Sequence, residues 1–247
     1  IKILFIIEKW VYSYSNSISV VTKGHINNLI NKGVPADKLN WVPDWIDATF
    51  YYNCPIKGKI NYSNDLFLKN EKIIAFVGNI GALQAPDVFL DLMKEINTEK
   101  RYKVKLLFIG NGIMAPHLKA RINNEQIKNI HFLGNIDRSN IRSYLNISDI
   151  LVSNYINDPT LNTYIPGKIF EYMISEKPII MGGRGDVKNL LTKYNAGIAI
   201  EPSSVQEFKK GVYDIFSGSY VFNIRIKEFL DVYSMENVIN KFNNSIL

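Results

Sequence analysis

The sequence predicts an α/β fold in which a parallel β-sheet carries helices on both of its faces. Apolar runs of strand length alternate with amphipathic segments of helix length, and three of the runs stop at the pair Gly-Asn. The predicted strands are Lys72–Val77, Val104–Ile109, Ile130–Leu133, Ile150–Ser153, Pro178–Met181 and Gly197–Ile200. The predicted helices between them are Asp87–Asn97, Ala115–Asn124, Ser139–Asn146, Lys168–Ser175 and Val187–Tyr194. The tail from Ser204 onward has the pattern of helices alone.

The first 50 residues show the same alternation but too few strands for a sheet of their own. The pattern predicts helices over Ile1–Tyr14 and His25–Lys32 and strands over Ile18–Thr22 and Leu39–Val42, followed by a stretch of little regular pattern, Asp44–Asn70. We therefore expect a fragment of a longer protein. Its expected parts are the remnant of an amino-terminal domain over 1–50, a linker over 51–70, the main domain over 71–232 and a terminal helix over 233–247.

Composition sets limits on the class of protein. The chain has 247 residues, of which 47% are apolar and 21% charged, so it is not a disordered protein. The net charge of +6 favours anionic partners, but the basic residues are spread along the chain, which weakens the case for nucleic acid. Cys54 is the single cysteine, so an internal disulfide is excluded, and no apolar run approaches the length of a membrane span. We expect a cytoplasmic location.

Glycine-rich loops follow several of the predicted strands. They are Gly78-Asn79-Ile80-Gly81, Gly110-Asn111-Gly112 and Gly182-Gly183-Arg184-Gly185. In a parallel sheet, ligands bind in the crevice outside the carboxyl ends of the strands, where glycine lets the backbone come close to a phosphate. Any one of these loops could be no more than a tight turn. Three loops on one edge favour a ligand site.

The segment Pro166–Met173 combines a helix start with two charged residues. Lys168 lies in the first turn, where the helix dipole disfavours a cation unless an anion is also bound. Glu171 shares that side of the helix, and its carboxylate could accept hydrogen bonds from the two hydroxyls of a ribose. A solvated Lys–Glu pair at this spacing is at least as common, so the spacing alone leaves both interpretations open.

Taken in order, these motifs resemble the carboxy-terminal, donor-binding half of the retaining glycosyltransferases of family four. Those enzymes have the GT-B fold of two facing Rossmann-like domains. The similarity is to the branch that includes bacterial O-antigen and capsule aminosugar transferases. It rests on Gly78–Gly81 with Gln84, Phe108–Gly112, Ile130–Gly134, Ser148–Val152, Pro166–Met173 and Lys177–Ile180.

The resemblance implies transfer of a sugar from a nucleotide-diphosphate donor, most often a UDP-sugar, to a lipid-linked or saccharide acceptor held by the other domain. It implies no cofactor, leaves the catalytic residues unassigned and predicts that this chain alone is inactive. A dimer through surfaces exposed by truncation and peripheral membrane association are both compatible with it. The donor-binding residues that it implies are Gly78, Asn79, Gly81, Gln84, Gly110, Asn111, Gly112, Asn135, Ile136, Gly167, Lys168, Glu171, Gly183 and Arg184.

The sequence departs from the family pattern at two places. Many relatives carry a second glutamate where this chain has Thr163, so only Glu171 can be carried over. The first glycine loop has no basic residue, so neutralisation of the diphosphate is assigned to Lys168, Arg184 and the backbone amides of Gly81 and Gly183.

Other chemistries lack their sequence motifs. The chain contains no Asp-x-Asp, no His-Glu-x-x-His, no Gly-x-Ser-x-Gly and no Walker loop, so the sequence predicts no metal site. It also lacks the Gly-x-Gly-x-x-Gly of a dehydrogenase. A nucleotide-binding module without catalysis remains the main alternative.

The ends of the chain are expected to expose apolar residues. In the family, the last helix crosses back onto the amino-terminal domain. The residues expected to form an apolar patch that promotes association are Ile3, Phe5, Ile6, Trp10, Val238, Phe242 and Ile246. The alternative is that residues 1–50 fold back and cover this patch.

Overall fold

The fold is described from a computed structural model that covers residues 2–56 and 71–246. The leading segment consists of α1 (Lys2–Tyr14), β1 (Ile18–Val20), α2 (Lys23–Asn31), β2 (Leu39–Trp41) and α3 (Ala48–Asn53). The main domain follows with β3 (Lys72–Val77), α4 (Asp87–Glu99), β4 (Val104–Ile109), α5 (Ala115–Asn124), β5 (Ile130–Gly134), α6 (Arg138–Ile147), β6 (Ile150–Asn154), α7 (Gly167–Ile174), β7 (Ile179–Gly182), α8 (Asp186–Tyr194) and β8 (Gly197–Ile200). The carboxyl-terminal helices are α9 (Val205–Phe216), α10 (Ile226–Tyr233) and α11 (Met235–Ile246). No helix in the described part is long and apolar enough to cross a membrane.

The main domain is built on a six-stranded sheet in the order β5-β4-β3-β6-β7-β8, with every neighbouring pair parallel. The predicted α/β fold is confirmed, and each predicted strand of this sheet lies within one residue of its observed bounds. The chain starts at β3, proceeds outward to β5 and then returns to β6 on the other side of β3. That reversal puts the point where the strand order changes between β3 and β6, and in such sheets ligands bind near this point at the carboxyl edge.

Both faces of the sheet are buried under helices, which explains why its strands are apolar at nearly every position. One face packs against α6, α7, α8 and α10, and the other against α4, α5 and α9. The second face contains a group of buried aromatic rings, with Phe89 in contact with Phe76, Phe108 and Phe208 at centroid distances of 5.2 to 6.3 Å. The core thus lies in two layers, one on each face of the sheet.

Helix α3 is a correction to the sequence prediction, which placed a stretch of little regular pattern here. The Asp47 carboxylate accepts a hydrogen bond from the Phe50 N–H at 2.8 Å and so caps the helix. Arg142 of α6 donates to the Cys54 carbonyl oxygen at 2.8 Å and holds the other end. The cap at Asp47 is a local signal that the sequence prediction missed, whereas the contact with Arg142 is distant in sequence and has no local signal. Residues 57–70 of the predicted linker lie outside the described residues.

The leading segment packs onto the main domain through hydrogen bonds from both backbone and side-chain groups. Strands β1 and β2 pair in a small parallel sheet, and α2 meets the main domain at its amino end. There Thr22 Oγ1 donates to the Thr163 carbonyl oxygen at 2.7 Å, and the Gly24 N–H donates to the Asp186 carboxylate at 2.8 Å. The Ile46 N–H donates to the Tyr233 carbonyl oxygen at 2.9 Å. These bonds fix the segment at the same edge of the sheet as the crevice.

The expected exposure of apolar side chains is confirmed for α1 and in part for α11. The exposed side chains are Ile3, Phe5, Ile6 and Trp10, at 58 to 72% exposure, and Phe242. Val238 was expected to be exposed, and this is wrong: it is buried at 3%, because α11 turns back after α10 and its first residue bonds to Ile46. The side chain of Ile246 lies outside the described residues. Association through this patch stays a prediction.

The two glycine loops after β3 and β4 touch through their backbones. Gly110 has φ +128°, and a Cβ there would lie 2.1 Å from the Gly78 carbonyl oxygen. We expect Gly110→Ala to lower the free energy of unfolding by roughly 2–4 kcal/mol, measured by urea denaturation. Gly167→Ala is the matched control, because no atom lies within 4 Å of an added Cβ there. Equal effects of the two substitutions would contradict this interpretation.

Candidate functional site

A cleft of about 420 Å³ opens at the carboxyl ends of β3, β4 and β5. Its walls come from the loops after these strands, from α6 and from α7. The structure therefore brings together half of the residues predicted to bind a donor. Those that line the cleft are Gly78, Asn79, Gly110, Asn111, Asn135, Ile136 and Glu171.

Lys168 directs its amino group at the first glycine loop. A Cβ on Gly78 would lie 3.3 Å from Lys168 Nζ, and the nitrogen stands 3.8 Å from the ring centroid of Phe76. The nitrogen is buried and has no hydrogen-bond partner within the described residues. Burial lowers the pKa of Lys168 to about 7, against the opposing effect of Glu171. A buried amine without a bonded anion is costly, and this marks the position as one suited to a bound anion.

Glu171 lies one helical turn after Lys168 and faces the cleft. Burial raises the pKa of its carboxyl, while the positive charges of Arg138 and Lys168 lower it in part. The two side chains are therefore not a solvated surface pair, as one interpretation of their spacing allowed. Glu171 is a half-buried carboxyl in the wall of the cleft, whereas the Lys168 amine is buried against Gly78, next to the residues that line the cleft but not among them.

Tyr172 fixes the position of α7 against the sheet. Strands β3 and β6 pair only at Ile74 with Ile150 and at Ala75 with Leu151, and they then separate. The Tyr172 hydroxyl fills the gap: its oxygen accepts from the Val77 N–H at 2.7 Å and lies 3.3 Å from the carbonyl oxygens of Val77 and Val152. This hydroxyl satisfies backbone groups that would otherwise be buried without partners.

Nothing in the spacing of the segment Pro166–Met173 distinguished Tyr172. In the structure it belongs to the buried face of α7, together with Ile169, Phe170, Met173 and Ile174, and it has no exposure to solvent. The polar atom of a tyrosine within a mostly apolar helix could have indicated a buried bonding role. Ile141 of α6, a further wall of the cleft, had no distinguishing sequence feature.

Other predicted residues stand behind or away from the cleft. Gly81 already donates its N–H to Gln84 Oε1 at 3.1 Å, and Gly112 packs under the Ile80 carbonyl group. Gly167 begins α7 and is exposed. Roles for these residues in donor binding stay predictions.

Gly183 and Arg184 follow β7, outside the walls of the cleft. The Gly183 N–H donates to the Ile200 carbonyl oxygen at 3.1 Å, and the Arg184 guanidinium pairs with Glu201 and donates to Asn157 at 2.9 Å. Both groups that were assigned to phosphate are therefore bonded within the protein. Of the predicted phosphate donors, Lys168 alone has no such bond in the described part of the chain.

The family model for glycosyl transferases group 1 matches residues 59–225. The chain belongs to this family. A curated relative, alpha-galactosylglucosyldiacylglycerol synthase of Streptococcus pneumoniae, is 21% identical over 96% of the chain. The alignment covers 66% of that protein, so the chain spans slightly less than two thirds of its relative's length.

Solved structures of other glycosyltransferases have the same fold as this chain. The apo form of the lipopolysaccharide outer core galactosyltransferase WaaB aligns with a TM-score of 0.67 at 15% identity, covering 95% of this chain and 62% of that one. Anabaena HepE in complex with UDP aligns with a TM-score of 0.73 at 11% identity, covering 94% of this chain and 63% of that one. The predicted GT-B fold class is confirmed by these neighbours.

Removing the Tyr172 hydroxyl tests its structural role. We expect Tyr172→Phe to lower the free energy of unfolding by roughly 1–3 kcal/mol, because the Val77 N–H loses its partner in a buried place. Tyr220→Phe is a matched control, since that hydroxyl donates to the Gly197 carbonyl oxygen in a less buried position. If chemical denaturation gives the same stability for Tyr172→Phe as for the unchanged protein, α7 is held by its apolar face alone.

Proposed function

We propose that this protein is the donor-binding part of a retaining glycosyltransferase that uses a UDP-sugar in the synthesis of a cell-surface polysaccharide such as O-antigen or capsule. The observation that carries the proposal is the buried amine of Lys168, which has no hydrogen-bond partner within the described residues and lies beside the glycine loops. A nucleoside diphosphate would supply that anion.

The chemistry follows from the positions of the two charged residues. When a sugar leaves its diphosphate, negative charge grows on the phosphate oxygens, and a fixed cation shielded from water stabilises that charge strongly. Lys168 is placed to do this, together with the amino end of α7, which favours anions. Glu171 would accept hydrogen bonds from the ribose hydroxyls and so orient the nucleotide. In this proposal, protein groups supply the positive charge, and no metal is invoked.

The nucleotide and the acceptor are assigned with support from relatives. Structures of Anabaena HepE contain UDP and UDP-glucose, and WaaB is named as a galactosyltransferase. The acceptor, lipid-linked or saccharide, would be held by the part of these longer proteins that this chain does not cover. We place the reaction in the cytoplasm or at the inner face of the membrane, and we expect this chain alone to bind donor without transferring sugar.

A thermal-shift panel of UDP, GDP, ADP and their sugars tests the proposal. Ligand bound to the folded state raises the melting temperature, so UDP and UDP-sugars should give the largest shifts. Silence toward every nucleotide would contradict the proposal. A full-length homologue that carries this domain and binds the nucleotide, but does not transfer sugar, would favour the non-catalytic nucleotide-binding module instead.

Glu171 is expected to hold the ribose. Glu171→Ala should weaken UDP binding by roughly 1.5–3 kcal/mol, the range for hydrogen bonds to a charged group, as measured by calorimetry. Glu176→Ala is the matched control, because Glu176 is exposed just beyond the end of α7. If the UDP affinity of Glu171→Ala equals that of the unchanged protein within error, this carboxyl does not bind the ribose.

Lys168 is expected to make donor binding depend on pH. With a pKa lowered to about 7 by burial, the amine is charged at pH 6 and mostly neutral at pH 9. A bound diphosphate raises that pKa, so binding at high pH requires uptake of a proton. Affinity for UDP-glucose should therefore fall by about tenfold or more from pH 6 to pH 9.

The matched variants are Lys168→Met and Lys188→Met. Lys168→Met should bind UDP-glucose more weakly, and its affinity should no longer depend on pH. Lys188 is exposed on α8, so Lys188→Met should keep both the affinity and its dependence on pH. Calorimetry across the pH range measures both. An unchanged slope in Lys168→Met would show that another group takes up the proton.

A further inference from the structure

Asn154, the last residue of β6, joins segments that meet at the edge of the sheet. Its side chain has no exposure to solvent. Its Nδ2 donates to the Gln84 carbonyl oxygen and to Ser203 Oγ, both at 3.1 Å, and lies 3.4 Å from the Ala85 carbonyl oxygen. Its Oδ1 accepts from the Ser203 N–H at 2.8 Å. Both the donor and the acceptor of this side-chain amide are therefore hydrogen-bonded within the protein.

Two of the residues that Asn154 contacts have left-handed backbones. Ala85 has φ 39° and Ser203 has φ 60°, a region that costs free energy for any residue with a Cβ. Such conformations persist where surrounding bonds enforce them, and they are concentrated at functional sites. Asn154 is hydrogen-bonded to Ser203 and to the carbonyl of Gln84, next to Ala85, and so it stabilises both strained turns.

A short series of bonds links Asn154 to the cleft. Gln84 ends a single 3₁₀ turn, Ala82–Gln84, whose backbone Asn154 binds. The Gln84 side chain in turn accepts from the Gly81 N–H. Gly81 closes the loop that begins at Gly78, and Gly78 lies against the Lys168 amine. The buried amide is thus connected through Gln84 to the loop that lies beside the amine.

We propose that Asn154 is a positioning residue for donor binding, which sets the loop Gly78–Gly81 where the diphosphate lies. It is not among the residues that line the cleft, so it would act through the loop rather than by touching the nucleotide. A carboxylate, a hydroxyl or an apolar side chain could not both donate to the Gln84 carbonyl and accept from the Ser203 N–H in the same geometry. The inference rests on the proposed function, since it assumes that this loop meets a diphosphate.

The test compares UDP with uridine, which lacks the diphosphate. Asn154→Asp keeps an acceptor for the Ser203 N–H but, as a carboxylate, loses both N–H donors. We expect its affinity for UDP to fall by about tenfold or more and its affinity for uridine to stay within about twofold, by NMR titration. A general loss of structure would lower the affinities for UDP and for uridine alike.

Asn97→Asp is the matched control. The Asn97 side chain also donates to a backbone carbonyl oxygen, that of Lys128 at 3.0 Å, but at the amino edge of the sheet. The affinities of Asn97→Asp for UDP and for uridine should equal those of the unchanged protein. Gln84→Met is the second variant, because it removes the acceptor of the Gly81 N–H from a half-buried position and does not place a carboxyl in the core. Gln84 does not line the cleft, so a selective loss of UDP affinity in this variant would also act through the loop, and it should appear even if Asn154→Asp fails to fold.

The outcomes separate this inference from the proposed function. UDP and uridine affinities that fall together in folded Asn154→Asp, or a UDP affinity that does not change in either variant, would overturn the positioning role and leave the proposed function standing. An unchanged protein that binds neither ligand would overturn the proposed function, and the inference with it.

Discussion

The candidate site depends on one hydroxyl group. Where β3 and β6 separate, the sheet leaves the Val77 N–H without a strand partner, and the Tyr172 oxygen takes its place at 2.7 Å. Because Tyr172 belongs to α7, this bond sets how that helix meets the sheet edge. Lys168 and Glu171 lie on the same helix within one turn of it, so their positions beside the glycine loops follow from the same contact.

The site is an arrangement that costs stability when it is empty. The Lys168 amine is buried over the Phe76 ring without a hydrogen-bond partner in the described residues, and its pKa is lowered by burial. The ring offsets part of this cost, as aromatic faces attract cations. Natural proteins accept local costs of this kind mainly where function requires them. A bound diphosphate would turn an unfavourable cation into half of an ion pair, and this is the physical link between fold and proposed function.

Much of the fold follows from sequence because its elements are long and regular. Near-continuous apolar strands such as Val104–Ile109 allow few alternatives, and the glycines after them mark the edge where ligands bind. The donor resemblance rested on the same regularities. What could not be predicted depends on choices among tertiary partners. Arg184 pairs with Glu201 on the next strand end, and Arg142 bonds to the end of α3. Neither of these partners has a local sequence pattern, although the Asp47 cap of α3 does.

The central claim is that a nucleoside diphosphate binds with its phosphates against Lys168. The most direct measurement is a crystal structure of this chain in complex with UDP. We expect a phosphate oxygen within hydrogen-bond distance of Lys168 Nζ, the ribose hydroxyls at the Glu171 carboxylate and the base toward Ile136. UDP held instead at Arg184 after β7, with Lys168 still unpaired, would contradict the claim.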